Sequence, residues 1–182
     1  MGRELRMVPP NWDHPVVVRR NGREGYQPMY RGSFEEAAAD WKKDFAKWEA
    51  GEREEYIDEE SRKLEFWEYS GGPPDRAYYC PWREQDATWF QVWETVSEGT
   101  PVTPPFATRE ELIDYLVENG DFWDQQRRRE GCMVMNCDPW SRESAERLVN
   151  GIGWAPSLVV TGGVVQSGVE AMGTMGKESV QK

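Results

Sequence analysis

The stretch Thr88–Trp123, TWFQVWETVSEGTPVTPPFATREELIDYLVENGDFW, decides the fold class. Trp89–Val96 alternates, with Phe90, Val92 and Val96 on one side and Trp89, Gln91 and Trp93 on the other. Apolar bulk on both sides predicts a strand covered on both faces. Pro101, Pro104 and Pro105 brace the connection that follows. Thr108 and Glu111 then form a capping box, in which a hydroxyl and a carboxylate reciprocally satisfy the first free amides of a helix. Leu112, Tyr115 and Leu116, with Ile113, supply its buried stripe, and Asn119-Gly120 ends it. A strand feeding a helix in this way predicts an α+β domain: a small antiparallel sheet packed with three to five helices around an aromatic-rich core.

Further along, Asp121–Glu130 predicts a short helix that carries Trp123 inward. Ser141 opens another, which closes at Asn150-Gly151. Ser157–Thr161 and Val164–Gln166 flank Gly162-Gly163 and predict a terminal hairpin. Residues 168–182, rich in Gly, Ser, Met and Lys, are expected to be a disordered tail. The α+β core is therefore assigned to residues 75–167.

Toward the N-terminus, residues 33–70 form an acidic block with thirteen acids and six bases. Ser33 and Glu36 make a second capping box, and Phe34, Trp41, Phe45 and Trp48 recur at helical spacing. Tyr56, Glu60, Leu64 and Trp67 predict a second helix, and core packing is expected for Trp41, Trp48 and Trp67. Gly71-Gly72-Pro73-Pro74 marks a stop and a candidate linker. Residues 1–32 are expected to be an extended arm. Pro9, Pro10 and Pro15 stiffen it, and a hairpin turns at Asn21-Gly22.

Composition narrows the function classes. A net charge of −11 disfavours nucleic acid, because phosphate binding is led by Lys and Arg. It suits a partner with a basic surface. Ten Trp, seven Tyr and six Phe argue for a folded chain despite a mean hydropathy of −0.83. Three cysteines, no apolar leader and no membrane-length run together predict a reducing cytoplasm.

Few residues point to chemistry. Cys80, Cys132, Cys137 and His14 have the ligand types for zinc, but their spacing does not announce a zinc knuckle. Buried free thiols and a satisfied or exposed loop histidine are the expected reading, with no cofactor. No dinucleotide-binding, P-loop or zinc-protease motif occurs, so a small cysteine- or metal-dependent enzyme is the third reading, below protein binding and nucleic-acid binding. Glu54, Glu55, Asp58 and Glu59 form the centre of the acidic block. Ordinary solvation explains such a face first, and partner binding or nucleic-acid mimicry comes second. Arg19, Arg20, Arg23 and Arg31, with Tyr26 and Tyr30, outline a small cationic surface for the alternative, nucleic-acid binding.

Gly2–Leu5, Val8-Pro9 and Trp12–Pro15, then GTPVTPPFATREELIDYLVENGDFW at Gly99–Trp123 and GWAPS at Gly153–Ser157, resemble a family of small proteins encoded by tailed bacteriophages. The resemblance covers about a third of the chain. It implies a phage or prophage origin and carries over no activity and no functional residue. Small acidic phage proteins without enzymatic motifs often act by binding proteins. The expectation is therefore an accessory protein that binds a host or phage protein, as an inhibitor of host defence or of nucleic-acid machinery.

Overall fold

The computed structural model describes residues 2–18, 22–95, 98–131, 137–161 and 163–174. The chain divides into two units, one of residues 1–28 and 82–182 and the other of Met29–Pro81. Each is built from its own core.

In the first unit, β1 (Gly2–Val8) is the central strand of a three-stranded antiparallel sheet. It is flanked by β4 (Trp89–Thr95) and by β5 (Trp154–Ala155). This corrects the expectation of an extended arm for residues 1–32. Arg3 and Arg6 point to opposite faces of β1, and both are buried. They tolerate burial because each is ion-paired, Arg3 to Asp121 and Arg6 to Glu4. The hairpin follows as β2 (Val16–Val18) and β3 (Glu24–Tyr26), with Val17 opposite Gly25; Arg19, Arg20 and Asn21 lie outside the described residues.

The strand β4 has the two-sided cover that its alternation predicts: Val92 and Trp93, on opposite faces, are both fully buried. Its outer edge is closed by Thr100–Phe106, which runs back along it. Glu94 donates to Thr100, Val102 to Val92, and Phe90 and Phe106 exchange two bonds. Pro101, Pro104 and Pro105 have no N–H, so this segment pairs at intervals and stops short of being a regular strand. Gly99 sits at its start, where an added Cβ would lie 2.7 Å from the Arg6 guanidinium and 2.8 Å from the Glu94 carbonyl.

One face of the sheet carries α3 (Arg109–Asn119), α4 (Phe122–Glu130), α5 (Arg142–Asn150) and α6 (Gly168–Thr174). Thr108 and Glu111 form the predicted reciprocal cap. Leu112, Ile113 and Leu116 from α3 meet Leu148 and Val149 from α5, all fully buried. Each such side chain contributes about 1.5–3 kcal/mol. The expected tail is overturned as far as Thr174: α6 buries Ala171 and Met172 and packs against α5. Its pattern is too short to outweigh the glycines in the sequence. The terminal hairpin is β6 (Leu158–Thr161) with β7 (Val164–Ser167).

On the opposite face the sheet is covered by aromatic rings. The Arg6 guanidinium lies 4.3 Å over Trp93, the His14 ring lies 4.9 Å from Trp93, and Trp12 meets Trp82 at 4.5 Å.

The second unit contains α1 (Phe34–Glu49) and α2 (Phe66–Ser70) around Trp48, Ile57 and Phe66, with Trp41 against them. Ser33 caps α1 through the Glu36 amide, 3.1 Å away. The second helix expected across Tyr56–Trp67 is largely absent. Asp58 accepts from the amides of Glu60 and Ser61 and from the Ser61 hydroxyl, so a local turn competes with the helix. Only a 3-10 turn at Ser61–Lys63 and the five residues of α2 are helical. Gly71–Pro74 lies inside this unit and does not separate two domains.

Candidate functional site

Loss of the second helix changes what the acidic block presents. Glu54, Glu55, Asp58 and Glu59 stand on an exposed loop wrapped around the buried Ile57. Between them Tyr56 is 77% exposed. The Glu54 carboxylate, and after it the Tyr69 hydroxyl, push the Tyr56 phenol above its ordinary pKa, so these three groups are neighbours. Tyr69 in turn stacks on Trp48 at 4.6 Å, and the Arg53 guanidinium covers that indole at 3.6 Å. The exposed tyrosine is thereby backed by the unit's core. Asp58 is held below the usual carboxylate range by the Ser61 amide and hydroxyl. It stays charged while it shapes the loop. Trp67, expected in the core, is 61% exposed because the short α2 buries Phe66 instead.

The first unit contains a cleft of about 830 Å3. Its floor is a buried charge network. Arg3 Nε donates to Asp121 Oδ2 at 2.5 Å, while Asp121 Oδ1 caps α4 by accepting from the Trp123 and Asp124 amides. Asp124 Oδ2 accepts from the Asp121 amide and from Trp140 Nε1, and its Oδ1 from Arg127. Burial, and then repulsion from Asp121, raise the Asp124 pKa against those donors. Every carboxylate oxygen of the pair is engaged, so the network is arranged to hold β1, α4 and Trp140 together. Trp140 lines this cleft and is 6% exposed. A smaller cleft of about 320 Å3 is lined by Trp12, His14, Tyr26, Tyr115 and Phe122 among others.

The other sequence candidates are dispersed. His14 is buried, with Nδ1 accepting from Trp12 Nε1 at 3.1 Å and Nε2 2.7 Å from the Gln27 carbonyl. Both ring nitrogens are engaged. Cys80 belongs to the second unit and donates to the Tyr30 carbonyl at 3.3 Å, whereas Cys137 belongs to the first. Cys132 lies outside the described residues. Among the described residues no group of three or more His, Cys, Asp or Glu is arranged to hold a metal ion. Of the arginines, Arg23 is exposed in the first unit and Arg31 in the second; Arg19 and Arg20 lie outside the described residues. Among those residues no helix is long and apolar enough to cross a membrane.

No family model, curated protein or solved structure matches the chain. The site is therefore read from its own geometry.

The sequence singles out the carboxylates of the acidic loop but not Tyr56 and Tyr69, which stand beside them. A helical reading assigns Tyr56 to a buried face, and only the loop conformation turns it outward. Arg3 and Asp124 were also missed, although Asp121-x-x-Asp124 before a helix is a legible cap.

Proposed function

We propose that this protein acts by binding a protein with a basic surface, through the acidic loop of its second unit. The observation that carries the reading is Tyr56, 77% exposed between Glu54, Glu55, Asp58 and Glu59. A tyrosine braced by a stacked core supplies rigid apolar contact at little entropic cost, and tyrosine is enriched at binding hot spots. The surrounding carboxylates supply steering toward cations and discrimination against acidic partners. The net charge of −11 extends that field over the whole chain. In the phage setting implied by the sequence resemblance, the partner is a host or phage protein, and the outcome is inhibition of host defence or of nucleic-acid machinery.

The test is affinity purification from host cells with mass spectrometry. Wild type is compared with a variant carrying Glu54→Lys, Glu55→Lys, Asp58→Lys and Glu59→Lys. Basic proteins captured by wild type, released by salt and lost in the variant support the reading. An unchanged set of captured proteins overturns it, as does tight binding of DNA or RNA at physiological salt.

A further inference from the structure

The β6–β7 hairpin is an exposed, uncharged apolar element on a chain of net charge −11. From Leu148 to Val169 no residue carries a charge, in a chain of which 30% is charged. The pairing Val160↔Val165 and Leu158↔Ser167 puts Leu158, Val160 and Val165 on one face of the hairpin. These three are 56%, 69% and 62% exposed. Among the described residues the hairpin is a sheet of two strands, and neither outer edge has a strand beside it. Two-stranded sheets are marginal in water, and an uncovered apolar edge is a template for pairing.

We infer that β6 pairs edge to edge with β6 of a second copy of this chain, making a four-stranded sheet across a two-fold axis. Charge selects the occupant. A basic partner is drawn to the acidic surfaces and gains nothing electrostatically at an uncharged strand. Two copies of a chain of −11 repel each other least where both are uncharged, because charges farther away than about 8 Å are screened at physiological salt. The register also closes. A two-fold axis perpendicular to the sheet preserves its faces, so each residue must meet one of the same parity. Centring the axis on Val159 places Val159 opposite Val159 of the second copy and Leu158 opposite its Val160, so the three central pairs are aliphatic, and Thr161 falls opposite Ser157. The interface is isologous and closes as a dimer. Ile152, 80% exposed, and Trp154, 47% exposed, precede the hairpin in the same uncharged run and add apolar area.

Sedimentation of the full chain over a concentration series tests the inference, with near-UV circular dichroism to check folding. Wild type is expected to have twice the monomer mass. Val159→Lys places two cations face to face on the axis and is expected to give folded monomer. L158K/V160K, which sets like charges opposite each other, also gives monomer. L158E/V160K sets Glu opposite Lys at both outer pairs and restores the dimer. A wild type that stays monomeric throughout overturns the inference. So does a dimeric V159K, or a folded L158E/V160K that remains monomeric.

Discussion

Arg3 and Asp121 are 118 positions apart, yet Arg3 Nε donates to Asp121 Oδ2 at 2.5 Å with both side chains more than nine-tenths buried. This bond fastens the start of the chain to the first turn of α4. Removing either partner strands a buried charge. Arg3→Ala or Asp121→Ala is expected to lower stability by about 3–5 kcal/mol in urea unfolding, and replacing both by Met and Leu to recover much of that loss. Single variants within about 1 kcal/mol of wild type would show that the pair does not hold the sheet to the helix.

His14 is the one histidine, so its titration is read without overlap. Burial pulls its pKa below the ordinary 6.5; Arg6 acts in the same direction, and the Gln27 carbonyl and Asp13 oppose it. The unfolded chain therefore takes up the proton first. The stability that His14 contributes is complete above its unfolded value and is lost as pH falls through the folded one. Imidazole NMR shifts should give a midpoint below 6.5 in the folded protein. Stability in urea should fall over the same interval, less steeply in His14→Gln. A midpoint at or above the ordinary value sinks this prediction.

Gly99 is restricted by space. Its Cβ position is crowded by the Glu94 carbonyl, a backbone atom that cannot move without breaking the bond from Glu94 N to Thr100 O. Gly99→Ala is expected to cost about 1–3 kcal/mol, as overpacking does elsewhere. Gly72 has nothing within 4 Å of its Cβ position and serves as the control. Equal thermal midpoints for the two alanine variants would refute the close approach.

Substitution of Tyr56 distinguishes the proposed binding surface from the packing of the unit. Tyr56→Ala removes an exposed side chain and is expected to change unfolding free energy by no more than about 0.5 kcal/mol. Partner capture should nevertheless drop markedly. A large loss of stability would instead make Tyr56 part of the unit's packing.

The legible parts of this protein are those whose signals are local. The Thr108–Glu111 cap, the β4 alternation, the Ser141 and Asn150-Gly151 helix ends and the glycine-centred terminal hairpin all depend on neighbours within a few residues. The acidic site was half legible. Its carboxylates are visible as composition, but the Asp58 turn that breaks the helix and exposes Tyr56 is a competition between side chain and backbone that periodicity does not register.

The sequence by itself determined the α+β class, the ends of α3 and α5 and the net charge, because capping, alternation and charge need no long-range contact. Tertiary structure alone decided that Gly2–Val8 is the central strand, that Gly168–Thr174 is a helix, and that Leu158, Val160 and Val165 share an exposed face. The physical reason is burial with compensation. Arg3 can lie inside only because Asp121 waits 118 positions away, and no local pattern records that meeting.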